Sequence, residues 1–157
     1  MDASRNPTIN EVKIRDVAFG HSVTVVTPSN LYNCSVGSNS FVGPFVEIQA
    51  GVVIGERTRI QSHAFICELV EIGDDCFISH GVMFVNDPFS NGGPAHGDRT
   101  LWKGTIIGNR VSIGTNATIL PVSVCDEVVI GAGAVVTRDI TQSGVYAGNP
   151  AKVIRYF

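Results

Sequence analysis

Between Val36 and Phe84 the chain reads VGSNSFVGPFVEIQAGVVIGERTRIQSHAFICELVEIGDDCFISHGVMF, and every sixth residue of that stretch is apolar. The series is Val36, Val42, Ile48, Ile54, Ile60, Ile66, Ile72, Ile78 and Phe84. A period of six matches neither an amphipathic helix nor a simple half-buried strand. It fits very short strands that each point one apolar side chain inward, joined by tight turns. Glycine follows the repeat residue at Gly37, Gly43, Gly55 and Gly73, where its tolerance of positive φ would suit such turns. Three units close one triangular coil, so residues eighteen apart stack on one another.

The same register resumes at Ile107, Ile113 and Ile119, then slips by one residue to Val124, Ile130 and Val136. A matching slip upstream connects Phe19, Val25 and Leu31 to Val36. These eighteen units make six coils, a parallel β-prism on the order of 29 Å tall at the usual strand spacing. The expected organisation is a single all-β domain. Residues 1–18 form a lead-in, residues 19–143 the β-helix, and residues 144–157 a short C-terminal tail. One excursion, at about 85–105, leaves the register and carries Pro88, Asn91-Gly92-Gly93-Pro94 and Gly97. A loop of that length without its own secondary structure is commonly functional.

The whole-chain numbers narrow the classes. A length of 157 residues suits one domain. Hydrophobic residues at 44% against 16% charged require extensive burial, and a net charge of −3 argues against a nucleic-acid partner. No apolar run approaches the length of a membrane span, and Met1–Gly20 lacks the order of a signal peptide, so a cytoplasmic protein without membrane contact is expected. Cys34, Cys67, Cys76 and Cys125 show no CxxC pairing, and free buried thiols are expected.

The stacking step places Glu68 directly below Asn86, with Asp87 beside it and Ala50 and Gln49 a further coil down. Polar groups gathered under a mobile loop are a site candidate, although ordinary solvated corner residues would produce the same pattern. His63 and His80 differ by seventeen and fall at another corner, where either could face a neighbouring subunit or simply lie on the surface. His96 is in the excursion loop and could act as a base if the loop folds over a substrate. Trp102 could stack on a base ring or anchor the loop. No two histidines lie a few residues apart, so no metal is expected.

Two segments carry a family resemblance. Ile130-Gly131-Ala132-Gly133-Ala134-Val135-Val136-Thr137, followed by Gly148-Asn149-Pro150-Ala151-Lys152, resembles the closing coil and tail of hexapeptide-repeat acyltransferases. That resemblance implies a left-handed β-helix, acetyl-CoA as co-substrate and a homotrimer with sites at the subunit boundaries. It implies that Gly131, Ala132, Gly133 and Ala134 meet pantetheine through backbone groups. It also implies that Asn149, Pro150, Lys152 and Arg155 border the nucleotide end, the basic pair near phosphate.

A narrower likeness lies in Gly43-Pro44-Phe45-Val46-Glu47-Ile48-Gln49, Gln61-Ser62-His63, Phe65-Ile66-Cys67 and Val85-Asn86-Asp87. These are similar to the N-acetyltransferases of nucleotide-linked 3-amino sugars used for bacterial surface polysaccharide such as O-antigen. The likeness implies transfer of acetyl to the amino group, at C3, of a UDP- or dTDP-linked sugar. The Asn86 amide or a backbone N–H would stabilise the oxyanion, Asp87 or Glu68 would accept or orient the amine proton, and His63 is the alternative base. A xenobiotic O-acetyltransferase using His96, or a non-catalytic β-helical scaffold, are the competing readings.

Overall fold

A computed structural model describes residues 8–157 and contains strands, turns and one short 3-10 turn, Arg99–Leu101. The strands, mostly two residues long, are collected into three parallel sheets that form the sides of a left-handed β-helix of about seven turns. The first face has seven strands and includes Glu47–Ile48, Phe65–Ile66 and Met83–Phe84. The second has six and includes Val53–Ile54, Val70–Ile72 and Thr105–Ile107. The third has eight and includes Arg59–Ile60, Phe77–Ile78 and Ser112–Ile113.

In these short strands the first residue is outward and the second buried. The buried residues are the six-step series: Ile48, Ile60, Ile66, Ile78, Ile113 and Ile119 are all 0% exposed. Each stacks on its counterpart in the next coil, as Ile66 does on Ile48 and Ile78 on Ile60. The core is therefore a column of aliphatic side chains running along the axis. Fully burying each one contributes on the order of 2 kcal/mol. The two slips are visible as coils one residue short, with Phe19 paired to Val36 and Ile107 to Val124.

The glycines that follow the repeat residue serve close approach rather than positive φ. A Cβ on Gly37 would lie 2.5 Å from the Gly55 carbonyl carbon and 2.6 Å from the Glu56 nitrogen. The left-handed backbone falls instead at the corners and is mostly carried by other residues, including Asn39, Phe45, Arg57, His63, Asp75 and Asn116. Corner hydroxyls tie successive coils: the Thr58 N–H donates to Ser40 Oγ and the Cys76 N–H to Thr58 Oγ1, both at 3.0 Å.

The ladder extends beyond six coils at both ends. Ile14–Arg15, within the lead-in, pairs with Leu31 and Tyr32. In the tail, Gly144–Ala147 lies parallel on Val128–Ile130, and Lys152–Tyr156 returns antiparallel along it. All four cysteines are free, three of them buried and Cys125 partly so. Burial pushes the Cys34 and Cys67 thiols up to about 11. Among the described residues no helix is long and apolar enough to cross a membrane.

Candidate active site

The corner where the first face turns into the second gathers three of the four expected catalytic residues. The chain leaves Phe65–Ile66, turns at Cys67, Glu68 and Leu69, and enters Val70–Ile72. One coil higher it leaves Met83–Phe84 and runs out into the excursion loop, then returns so that the Thr105 N–H donates to the Leu69 carbonyl at 3.0 Å. Asn86 lies over Glu68: its Nδ2 donates to the Glu68 carbonyl oxygen at 3.2 Å. One coil lower, Gln49 Oε1 accepts from the Glu68 N–H at 3.4 Å, and Gln49 Nε2 donates to Glu47 Oε1 at 2.9 Å. Glu47, Gln49, Glu68 and Asn86 thus form one polar column.

The loop is bound to this column by side chains that local sequence pattern does not reveal. Arg99 forms an ion pair with the Glu68 carboxylate, whose side chain is 17% exposed, and its guanidinium sits 5.5 Å over the Trp102 ring. Trp102 accordingly packs with the loop's own arginine. Asp98 caps the 3-10 turn by accepting from the Thr100 N–H and hydroxyl, and the hydroxyl bond first, then the amide, holds its carboxyl below the usual range. Asp87 organises the loop base: Oδ1 accepts from the Phe89 N–H at 3.0 Å and Oδ2 from the Ala95 N–H at 2.7 Å. His96 follows Ala95 and is exposed, with φ of 50°.

His63 is elsewhere. It occupies the corner between the third and first faces, with its ring stacked on Phe45 at 4.9 Å and 15°. On the coil above, His80 Nδ1 is 2.8 Å from Ser62 Oγ, a pairing absent from the expected site residues. The His63 and Glu68 corners flank the same strand, Phe65–Ile66, so the structure keeps His63 apart from Asn86 within one chain.

The turn Gly131–Ala134 lies at the top of the His63 corner. Its N–H groups are largely committed inside the fold: Gly131 donates to the Tyr146 carbonyl, Gly133 to Thr115 and Ala134 to Gly131. The tail crosses this end, where Val135 N–H donates to Gly148 O and Ala151 N–H to Val135 O. Asn149 and Pro150 form the bend before Lys152–Tyr156. Beneath it lies a cavity of about 190 Å³ lined by Thr137, Arg138, Pro150, Ala151 and Lys152. Arg138 adds a cation that the tail motif alone does not indicate. Arg155 lies farther along, its guanidinium 4.9 Å over the Phe157 ring. Among the described residues no three His, Cys, Asp or Glu side chains gather as metal ligands.

Known proteins agree with this architecture. Residues 33–68 match the family described as "Bacterial transferase hexapeptide (six repeats)" and residues 104–138 the "Hexapeptide repeat of succinyl-transferase". The serine acetyltransferase of Mycobacterium tuberculosis is 38% identical over 69% of this chain and 45% of its own. The bifunctional protein GlmU of Acidithiobacillus ferrooxidans is 28% identical over 84% of this chain and 30% of its own. The chain therefore spans less than half the length of these curated relatives. Among solved structures, a mutant of AntD, an N-acyltransferase from Bacillus cereus in complex with dTDP and coenzyme A, superposes with a TM-score of 0.77. It is 21% identical, over 88% of this chain and 83% of that one. Two stretches of this chain, residues 33–68 and 104–138, thus resemble the hexapeptide repeats of bacterial transferases, in keeping with its triangular coil.

Proposed function

We propose that this protein transfers the acetyl group of acetyl-CoA to the amino group, at C3, of a UDP- or dTDP-linked sugar destined for surface polysaccharide. The observation that carries the reading is the Gln49–Glu68–Asn86 column lying beneath a loop anchored by Arg99. It offers an amide donor and a carboxylate at one corner, which suits a polar, amine-bearing acceptor. AntD supports a nucleotide-linked amino sugar as the acceptor class, since another of its structures holds dTDP-4-amino-4,6-dideoxyglucose and coenzyme A.

The chemistry is aminolysis of a thioester. The amine nitrogen attacks the acetyl carbonyl, the C–N bond forms, and the C–S bond breaks to release the CoA thiol. The oxyanion that forms in between needs a donor fixed in advance. Asn86 Nδ2 uses one N–H on the Glu68 carbonyl and keeps the other for that oxygen. Glu68 and Asp87 shape the pocket and orient the amine, a contribution of several kcal/mol when geometry is tight. At the far end, Arg138, Lys152 and Arg155 supply charge for the CoA phosphates. Along Gly131–Ala134 the Ala132 N–H and the Ala132 and Gly133 carbonyls serve the pantetheine amides. Asn149 and Pro150 wall the nucleotide end.

The acting species in this reading is a homotrimer in the cytoplasm. Outward apolar side chains such as Val53, Phe77 and Ile106, at 47%, 39% and 54% exposure, supply faces for neighbouring copies to cover. The test is thiol release from acetyl-CoA against UDP- and dTDP-linked 3-amino and 4-amino sugars, with Asn86→Ala alongside. Turnover with one amino sugar, lost in the variant, supports the reading. Acetyl-CoA binding without turnover on any sugar overturns it and shifts attention to a hydroxyl acceptor and His96.

A further inference from the structure

The Glu68 carboxylate is mostly shielded, at 17% exposure, whereas the Arg99 guanidinium paired with it is 63% exposed. A carboxylate that far out of water needs a cation beside it, and taking the cation away alone leaves a costly charge. The other two acids of this corner are satisfied differently. Both Asp87 oxygens accept loop N–H groups, from Phe89 and Ala95. Asp98 accepts from the Thr100 N–H and hydroxyl. Of these three acids only Glu68 is held by a cation, and that cation comes from the excursion loop.

Arg99 has a second support. Its guanidinium lies 5.5 Å from the Trp102 ring centroid, on the ring face, and the Trp102 N–H donates to the Arg99 carbonyl at 3.2 Å, closing the 3-10 turn. The next residue seats that turn against the column, since the Lys103 N–H donates to the Asn86 carbonyl at 2.9 Å. An arginine resting on an aromatic face keeps its place when its anion departs. Its guanidinium carries five N–H donors in a fork that matches phosphate oxygens.

The acceptor proposed above carries the two complementary charges. Its amine is mostly protonated near neutral pH, as aliphatic amines are, and its diphosphate is anionic. We propose that Arg99 is a specificity-determining residue that guards Glu68, and that the acceptor enters by exchanging ion pairs. The sugar ammonium takes the place of Arg99 on Glu68, and the diphosphate takes the place of Glu68 on Arg99. Trp102 is the positioning residue that keeps the guanidinium at the corner through the exchange. No covalent bond is made or broken in this step. A ligand with only one of the two charges satisfies one partner and strands the other, so the corner selects for amine and diphosphate together before any chemistry. This inference rests on the acyl-transfer reading above.

The test uses the full chain, acetyl-CoA and the best nucleotide-linked amino sugar, with the phosphate-free methyl glycoside of that sugar for comparison. The preference in kcat/KM for the nucleotide-linked form is expected to fall about ten- to a hundredfold in Arg99→Gln and to recover in part in Arg99→Lys. Acetyl-CoA affinity by calorimetry should match wild type in both. Trp102→Leu should lose part of the same preference through KM rather than kcat. Adding Arg99→Gln to Glu68→Gln should still reduce the preference, because the arginine meets the diphosphate itself. A preference that is absent in wild type or unchanged in Arg99→Gln overturns the proposal. So does a loss that vanishes in the Glu68→Gln background, which would mean that Arg99 acts only by holding Glu68. Weakened acetyl-CoA binding in Arg99→Gln assigns the arginine to the CoA phosphates and overturns it too. Wild-type protein that acetylates no amino sugar overturns the acyl-transfer reading itself, whereas turnover with an unchanged preference overturns only the exchange.

Discussion

Asn86 stands one coil above Glu68, and its side-chain amide donates to the Glu68 carbonyl oxygen across 3.2 Å. That bond engages one of the two amide N–H groups and leaves the second for another acceptor. Removing the amide with Asn86→Ala is expected to reduce kcat by about two to three orders of magnitude, as loss of one oxyanion donor does. The urea midpoint should hardly change, because the side chain is only partly buried.

Arg99 ties the excursion loop to Glu68 from a side chain that is 63% exposed. An ion pair whose cation is this open to solvent contributes little to global stability, about 0.5 kcal/mol or less. Arg99→Ala should therefore leave the melting temperature nearly unchanged while raising the acceptor KM and the rate of proteolysis between Pro88 and Asp98. Equal loop protection in the variant and wild type would show that the pair does not hold the loop.

Gly37 and Gly93 make a matched pair for testing close packing. Gly37→Ala drives a Cβ to 2.5 Å from the Gly55 carbonyl carbon, whereas Gly93 has open space around it. The first substitution should lower stability by about 1–3 kcal/mol and the second by almost nothing, read from urea midpoints with unchanged slopes.

Acid should loosen the second-to-third corner first. The Arg57 guanidinium bonded to Asp75 holds that carboxyl below its ordinary value of 3.8, and bonds from Asn109 do the same for Asp126. Below the ordinary value the unfolded chain binds more protons than the folded one, so stability present above that pH falls as these groups protonate. The melting temperature should drop progressively below about pH 4, and Asp75→Asn should flatten part of that drop.

The thiols predict an alkaline counterpart. Burial raises Cys34 and Cys67 from 9.0 to about 11. Their contribution is complete below the unfolded value and is lost as pH rises through the folded one, so stability should decline between about pH 9 and 11. Iodoacetamide at neutral pH should label Cys125, which is partly exposed, well before Cys34 or Cys67.

The repeat was legible because one physical demand recurs: Ile48, Ile66 and Ile78 each fill the axis of one coil. The same step aligned Glu68 with Asn86. It aligns Ser62 with His80 as well, but that pair becomes informative only when a side-chain bond joins the two coils. The part played by Gly37 and Gly55 was not legible, since φ tolerance and close approach leave the same residue in the sequence. Arg99 was not legible either. Where a loop of some twenty residues folds back is decided by contacts at its far end, and no periodicity records them. Ile14–Arg15 escaped because it is exposed at the end of the stack, and its coil is one residue short.

The strand Lys152–Tyr156 runs against the direction of every other strand in its sheet. A stack of parallel coils has no inherent length, and its uppermost row of N–H and C=O groups is a template for the lowest row of another molecule. Antiparallel pairing changes the spacing of those groups, and the reversed strand places Lys152 and Arg155 on the outer rung. A strand from another molecule approaching along this rung would meet a reversed hydrogen-bonding pattern flanked by two cations, which disfavours continuation of the parallel stack there.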